Sequence, residues 1–236
     1  MTPLSTSRPR CPACLRPHSA CICRWVTPVA HRTEVLILQH PLEVHEAKGT
    51  ARLLHLSLPH SRMVTGERFD DSALQPLLTA PFEATDAATA PRRALLLYPE
   101  GPQDTTLGIA TPPPLNPAWL QSPERLRLVV LDGTWRKSRK MLHQNPLLQQ
   151  LPRLPLRELP ASRYRIRTAH QPHQLSTLEA TCAALAQLEG SAEQFEPLLS
   201  AFDGFVAQQA AWQVRRGGCK AVTRASRRPC KKLLKT

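Results

Sequence analysis

The feature that most constrains the fold is a short apolar run, Leu128 to Leu131, which is followed at once by Asp132 and Gly133. An apolar run of this length, bounded by a glycine, predicts a buried β-strand that ends at Leu131. Thr134 can cap a helix that begins directly after it. Because open α/β sheets bind ligands at the carboxyl ends of their strands, we expect Asp132 to stand at a ligand crevice.

The predicted helix is unusual because basic residues fill its first turns. These residues are Arg136, Lys137, Arg139 and Lys140. The N-terminal end of a helix carries partial positive charge and normally favours acids, so the cations indicate an external anion nearby. In an alternative interpretation Asp132 only caps a turn and Trp135 packs in the core.

Other segments repeat the alternation of strand and helix. Further strands are predicted at 34–39, 61–65, 94–98 and 155–159. Further helices are predicted at 44–58, 176–188 and 193–214, and Ser176 with Glu179 forms a capping box at the start of the second. Strands that alternate with helices favour a mostly parallel sheet, so the predicted fold class is α/β.

Four of the seven cysteines lie in one short N-terminal stretch. A CxxC turn lets two thiolates reach one metal ion, and a second pair completes a tetrahedral sulfur site. We therefore predict a structural zinc site with Cys11, Cys14, Cys21 and Cys23 as ligands. The closing pair is a tighter CxC, so free or redox-active thiols are the alternative, and His18 could replace one thiol.

The net charge of +13 is unevenly distributed. Residues 215–236 contain nine Lys or Arg and no acid, which leaves 22 basic and 18 acidic residues in the rest of the chain. A second basic cluster is formed by Arg163, Arg165 and Arg167. A basic tail on a modestly basic body favours a polyanionic partner, most simply nucleic acid. The alternative is a solvated tail that aids solubility.

The sequence lacks the signature motifs of several classes of protein. There is no Walker loop, GxGxxG, HExxH or GxSxG, and no Cys/His/Glu set of a base deaminase. No apolar run is long enough to span a membrane, and residues 1–10 lack the apolar core of a signal peptide. We therefore expect a soluble, cytoplasmic protein without a membrane partner, and nothing in the sequence implies a protein partner.

Five stretches, in this order and spacing, resemble the DTW-domain family of tRNA-uridine aminocarboxypropyltransferases. They are CPACLRPHSACIC, QHPLEVHEAKGTARLL, LLLYPEG, LDGTWRKSRKM and YRIRTAHQPHQLSTLEA. The signature of the family is Asp, any residue, Thr and Trp, which Asp132, Gly133, Thr134 and Trp135 match. The resemblance extends roughly from residue 11 to residue 211 and does not cover the basic tail.

The resemblance implies a reaction and a fold. The enzyme would transfer the 3-amino-3-carboxypropyl group of S-adenosylmethionine to N3 of a uridine in tRNA and release methylthioadenosine. The fold would be akin to the SPOUT methyltransferases, with a C-terminal trefoil knot that binds the cofactor. The chain would divide into a zinc-binding segment (1–30), a DTW catalytic domain (31–214) and a basic tail (215–236).

The implied reaction gives expected roles to particular residues. Uridine N3 carries a proton, so Asp132 is the expected general base or N3 acceptor. The expected cofactor site comprises Gln39, His40, Pro41, Tyr98, Pro99, Asp132, Gly133, Thr134, Trp135, Leu175, Ser176 and Thr177. Within it, the helix start at Ser176 could seat the methionine carboxylate, and Trp135 could stack on a base or on adenine. The expected tRNA phosphate contacts are Lys137, Arg139, Lys140, Arg163, Arg165 and Arg167.

Three alternatives remain open at this point. The first is a SPOUT-type RNA methyltransferase, which uses the same cofactor but transfers the methyl group. The second is the same aminocarboxypropyl transfer onto ribosomal RNA. The third is a non-catalytic, zinc-containing RNA-binding protein, for which the Asp-Gly-Thr-Trp motif would have no purpose.

Overall fold

The computed structural model of the chain describes residues 9–83, 90–99, 101, 106, 108–157, 162, 163 and 175–225. Its centre is a four-stranded parallel sheet of order β2-β1-β4-β3. The strands are β1 (Glu34–Gln39), β2 (Ser61–Thr65), β3 (Arg93–Leu97) and β4 (Leu126–Asp132). The predicted α/β class with a parallel sheet is confirmed.

The two central strands, β1 and β4, are buried along their whole length. Helices cover both faces of the sheet, so these strands read as nearly continuous apolar runs rather than as alternating ones. Their register places Glu34 beside Arg127 at one end and Gln39 beside Asp132 at the other. The first pair is a buried ion pair in which the Arg127 guanidinium also stacks on the Phe82 ring, 3.9 Å from its centroid.

In the described part of the chain, six α-helices surround the sheet. They are α1 (Ala51–Ser57), α2 (Asp71–Thr79), α3 (Trp135–Gln144), α4 (Pro146–Gln149), α5 (Thr177–Glu189) and α6 (Glu196–Ala225). One face of the sheet packs on α1, α5 and α6, and the other packs on α2, α3 and α4. The sheet is thus the middle of three layers, and its carboxyl edge is left for the loops that follow β1, β3 and β4.

The prediction of one helix over 44–58 is wrong in its first half. The chain forms a 3-10 turn at Pro41–Glu43 and then a non-helical loop, so that α1 begins only at Ala51. Arg16 explains the difference, because its guanidinium donates hydrogen bonds to the carbonyl oxygens of Ala47 and Gly49, both at 2.7 Å. A side chain from the cysteine segment therefore holds this loop open.

Two other boundaries differ from the predictions. The strand expected at 155–159 is represented by an isolated parallel bridge between Arg153 and Leu96, and residues 158 and 159 lie outside the described residues. The last helix, α6, begins at Glu196 and continues beyond Val214 to Ala225. The basic segment expected as a separate tail therefore begins inside a helix.

The N-terminal cysteine segment is fastened to α6. Trp25 Nε1 donates a hydrogen bond to Gln208 Oε1, and Gln208 Nε2 donates one to the carbonyl oxygen of Cys21 at 3.2 Å. The Trp25 ring lies against Gly204, where a Cβ atom would come within 3.0 Å of three ring carbons. None of the helices in the described part of the chain is both long and apolar enough to cross a membrane.

Candidate active site and metal centre

Asp132 is the last residue of β4 and lies beside Gln39, the last residue of β1. Gln39 Nε2 donates a hydrogen bond to Asp132 Oδ2 at 2.9 Å, and the Thr177 hydroxyl donates one to Asp132 Oδ1 at 2.8 Å. The backbone N–H of His40 donates to the Asp132 carbonyl oxygen at 3.0 Å. Groups from β1, β4 and α5 therefore meet at this carboxylate, which is almost completely buried.

These contacts fix the orientation of the carboxylate. The expected cap of α3 is Thr134, whose hydroxyl accepts the N–H of Lys137 at 3.4 Å. The arrangement can accept a proton from a group placed at the sheet edge.

Trp135 stands at the same edge and is 46% exposed. Its ring makes an edge-to-face contact with the Tyr98 ring, with centroids 5.9 Å apart and planes at 72°. Arg153 contacts this pair through Tyr98. Its guanidinium lies 5.4 Å from the Tyr98 ring centroid and donates a hydrogen bond to the Pro99 carbonyl oxygen at 3.0 Å. Trp135 is therefore not a core residue, and its ring is accessible for stacking.

His40 belongs to a chain of hydrogen bonds that the sequence did not indicate. The N–H of Leu42 donates to His40 Nδ1 at 3.1 Å, so Nε2 carries the proton and donates to Glu67 Oε1 at 2.9 Å. Lys140 Nζ donates to Glu67 Oε2 at 2.9 Å. The hydrogen bond from Lys140, followed by that from His40, holds the pKa of Glu67 below its ordinary value. Glu67 was missed because nothing in the sequence places the loop after β2 next to His40.

The predicted capping box at the start of α5 is confirmed. The Ser176 hydroxyl accepts the Glu179 N–H, and the Ser176 N–H donates to Glu179 Oε2 at 2.8 Å. The Leu178 N–H donates to Thr50 Oγ1 at 3.3 Å. These first-turn groups are thus paired within the protein, and the Thr177 hydroxyl is directed to the carboxylate of Asp132.

The residues expected in the cofactor site are brought together by the fold. The loops after β1, β3 and β4 and the start of α5 meet around Asp132, through the hydrogen bonds and ring contact given above. These segments contain Gln39, His40, Pro41, Tyr98, Pro99, Gly133, Thr134, Trp135, Leu175, Ser176 and Thr177.

Of the four described cations that were expected to contact phosphate, three have acidic partners. Lys137 pairs with Glu43 at 2.7 Å, Lys140 pairs with Glu67, and Arg163 pairs with Glu196 at 3.0 Å and with Asp203 at 3.2 Å. Arg139 is exposed on α3. Arg165 and Arg167 lie outside the described residues.

The four N-terminal cysteines form one cluster in which all sulfur atoms lie within 4.8 Å of one another. Cys11 Sγ lies 3.6 Å from Cys23 Sγ, and Cys14 Sγ lies 3.7 Å from Cys21 Sγ. Tetrahedral zinc with Zn–S bonds of about 2.3 Å has sulfur atoms about 3.8 Å apart. The spacing fits one metal ion bound by four sulfurs and is too long for disulfide bonds.

Backbone hydrogen bonds in this cluster favour the thiolate form of Cys11, which is the form that binds a metal ion. Hydrogen bonds from the backbone of Cys14 and then Ala13 lower the pKa of Cys11 to about 6. Burial raises the pKa of Cys23 to about 12, so a metal ion that binds this sulfur must displace the thiol proton. Leu15 has a φ of 59°, a conformation that the tight turn after Cys14 imposes. The donor set and turn are those of a structural sulfur site.

Comparisons with known proteins identify the family of the chain. A family model described as DTW domain matches residues 8–210. The chain is 30% identical over 186 residues to the Mus musculus protein named tRNA-uridine aminocarboxypropyltransferase 2, covering 77% of this chain and 57% of that protein. It is 32% identical over 200 residues to the Drosophila melanogaster protein of the same name, covering 81% of this chain and 71% of that protein.

A protein of Arabidopsis thaliana named tRNA-uridine aminocarboxypropyltransferase A is 28% identical over 139 residues, or 56% of this chain and 49% of that protein. No solved structure matches the chain. The chain spans little more than half the length of the mouse relative. Its Asp132-Gly133-Thr134-Trp135 motif lies at the carboxyl edge of the sheet, inside the range matched by the family model. The chain belongs to the DTW domain family.

Proposed function

We propose that this chain is a tRNA-uridine aminocarboxypropyltransferase. It transfers the 3-amino-3-carboxypropyl group of S-adenosylmethionine to N3 of a uridine in tRNA and releases methylthioadenosine. The observation that carries the proposal is the Asp132 carboxylate, which Gln39 and Thr177 hold at the sheet edge within the family motif. The names of the relatives support the same reaction.

In the proposed reaction Asp132 acts on the nucleophile. Uridine N3 becomes nucleophilic when it loses its proton, and the carboxylate accepts that proton. N3 then forms a bond to the side-chain methylene attached to the sulfonium sulfur. The carbon–sulfur bond breaks, and its electron pair goes to sulfur, which leaves as the thioether of methylthioadenosine. Because the sulfonium is already a good leaving group, the protein mainly positions the two reactants.

The remaining residues of the edge shape the binding site. S-adenosylmethionine is consumed as the group donor, and we propose that it binds between the loops after β1, β3 and β4 and the start of α5. Trp135 offers an exposed ring for stacking beside Asp132. His40, held by its hydrogen bond to Glu67, borders the site next to Gly133, where an added Cβ would lie 3.7 Å from His40 Cβ.

The proposal extends to the fold of the carboxyl-terminal part. We propose a SPOUT-like trefoil knot there. In its support, Arg153 pairs beside β3 at one edge of the sheet, whereas Thr177 is already back beside Asp132 near the middle. The described ends of the segment that joins them therefore lie beside different strands of the sheet.

We propose three functional parts with different ligands. Residues 1–30 bind zinc through the four cysteines and hold the first loop and α6 in place. Residues 31–214 form the catalytic domain. Residues 215–236, with Arg139 and the cluster of Arg163, Arg165 and Arg167, contact tRNA phosphates, although Arg163 must exchange its acidic partners to do so. Binding of tRNA in the cytoplasm is the expected setting.

The test is an incubation of purified protein with unmodified tRNA and S-adenosylmethionine, followed by digestion to nucleosides and mass spectrometry. The expected products are an aminocarboxypropyl uridine and methylthioadenosine. A methyl adduct would contradict the proposal and assign methyl transfer. The absence of any adduct on tRNA, together with an adduct on ribosomal RNA, would reassign the substrate.

A further inference from the structure

A cavity of about 420 Å³ lies between the cysteine segment, the loop after β1 and α6. Its volume falls in the usual range of small-molecule sites, roughly 300–1,000 Å³. Asp132 and the residues that surround it do not line it. The cavity is nevertheless close in the fold to that site, because Thr50, at the end of the lining loop, accepts the N–H of Leu178, the neighbour of Thr177.

The charges around the cavity favour an anion. Arg10, Arg16 and Lys48 line it together with one acid, Glu46. Arg10 is exposed, and its Nη1 contacts the Leu15 carbonyl oxygen and His45 Nδ1, each at 3.2 Å. Neither of these partners carries a negative charge.

Two residues on one face of α6 favour a nucleobase beside that anion. Gln209 and Trp212 are three positions apart on the helix and both line the cavity. Gln209 is only 7% exposed, and it lines the cavity. A buried amide normally has partners, and in a cavity a ligand can supply them. Trp212 is partly exposed and can stack on a flat ring.

We infer that this cavity binds a nucleotide of the RNA substrate other than the uridine that reacts. Its phosphate lies against Arg10 and Lys48, its base stacks on Trp212, and the base edge bonds to the Gln209 amide. An amide donates and accepts at once, as a base edge requires. This inference rests on the proposed function for the identity of the RNA as tRNA.

The sequence beyond Trp212 fits the same ligand. α6 continues to Ala225, and in this stretch the chain contains Arg215, Arg216, Lys220 and Arg224 and no acid. The helix that contributes the base-binding face therefore leads into the most basic part of the chain. A basic segment that follows Trp212 in the sequence is suited to an RNA ligand.

The experiment measures binding of a fluorescent, unmodified tRNA transcript to the full chain. Trp212→Ala removes a stacking surface, so the tRNA Kd should rise about tenfold, whereas Trp212→Phe keeps a ring and most of the affinity. Arg10→Gln should reduce the slope of log K against log salt by about 0.7–0.9, the effect of one phosphate contact. Arg125→Gln, an exposed cation that precedes β4 and does not line the cavity, is the charge-matched control.

Gln209→Leu separates binding from structural support. If the Gln209 amide serves the ligand and not the fold, replacing it by an apolar side chain of similar size should leave the unfolding midpoint unchanged or raise it, while tRNA binding weakens. A fall in the midpoint with unchanged tRNA affinity would assign Gln209 a structural role and overturn the inference. In turnover assays, the variants should have a higher KM for tRNA, whereas their kcat should change little.

The remaining outcomes distinguish the inference from the proposed function. Unchanged tRNA affinity in Trp212→Ala and Gln209→Leu would overturn the inference even if the wild-type chain performs the transfer. A loss of S-adenosylmethionine affinity with unchanged tRNA affinity would assign the cavity to the cofactor and also overturn it. If the wild-type chain binds tRNA but transfers no group, the proposed function fails and the variants' tRNA Kd values still decide the role of the cavity.

Discussion

The Thr177 hydroxyl donates a 2.8 Å hydrogen bond to Oδ1 of Asp132, 45 positions earlier in the chain. Thr177 is the first residue of α5, and Asp132 is the last residue of β4. Gln39 holds the other oxygen from the neighbouring strand at 2.9 Å. The carboxylate is therefore oriented by two elements that are distant in sequence, as expected for a group that must meet a substrate in one geometry.

Asp132→Asn should lower kcat for aminocarboxypropyl transfer about 100-fold or more, because an amide does not accept the N3 proton. The shape of the side chain is kept, so the affinities for S-adenosylmethionine and tRNA should change little. Single-turnover rates and binding titrations measure the two effects separately. Near wild-type turnover in this variant would exclude a role for Asp132 as the base.

Thr177→Val should lower kcat about tenfold, since it removes a hydrogen bond to a charged group while keeping the size of the side chain. Thr177→Ser retains the hydroxyl and is the matched control. If Thr177 acts only by positioning Asp132, adding Thr177→Val to Asp132→Asn should produce little further loss. Fully additive losses in this double-mutant cycle would show that the two residues act independently of each other.

The regular parts of this fold could be predicted from local sequence, and the site could be predicted only in part. The strand from Glu34 to Gln39 was predicted with both ends correct, because a strand buried on both faces is a continuous apolar run. The capping box at Ser176 is likewise a local pattern. Asp132 could be placed at a strand end for the same reason, but its contact with Thr177 depends on the path of the whole chain.

The contacts that the sequence did not reveal are set by strand order and by distant side chains. Glu67 meets His40 because β2 lies next to β1, and no local pattern specifies that order. The helix expected from residue 44 is interrupted because Arg16 binds two carbonyl groups of that loop. The exposure of Trp135 was left open for a similar reason, since burial of a ring depends on which elements pack over it.

We expect one zinc ion per chain, bound by Cys11, Cys14, Cys21 and Cys23. Removing it with a chelator should release the N-terminal segment and lower the thermal stability, because the metal closes the turn whose Cys21 carbonyl binds Gln208 on α6. Metal analysis of protein purified under reducing conditions gives the stoichiometry. Cys182→Ala should keep the zinc, since Cys182 is buried apart from the cluster; protein without zinc under these conditions would contradict the assignment.

Gly204→Ala should destabilise the protein by about 1–3 kcal/mol, because the new Cβ would overlap the Trp25 ring. At an exposed helix position the same change would instead stabilise by about 1 kcal/mol through helix propensity. Urea unfolding measures the change, and Trp fluorescence reports whether Trp25 has moved. A gain in stability would mean that the cysteine segment does not pack on α6 as described.

Stability should decrease as the pH falls below about 6.5, the ordinary pKa of an unfolded histidine. Burial lowers the pKa of His31 in the folded protein, with His60 nearby acting in the same direction and Glu189 opposing it. The hydrogen bond from His31 Nδ1 to the Thr33 carbonyl oxygen at 2.7 Å raises this pKa, but burial outweighs it. His31 Nε2 accepts the His60 N–H at 3.2 Å, which requires that this nitrogen carries no proton. Below pH 6.5 the unfolded chain takes up a proton that the folded chain excludes, so the stability is complete above this pH and declines towards the lower folded pKa.

The measurement is urea unfolding of wild type and His31→Gln between pH 7.5 and pH 5. Glutamine can keep one donor and one acceptor but does not titrate, so the variant should lose part of the decline. A smaller decline should remain, because burial also lowers the pKa of His55, with Arg52 adding to the effect. Identical pH profiles for the two proteins would show that protonation of His31 does not contribute to acid destabilisation.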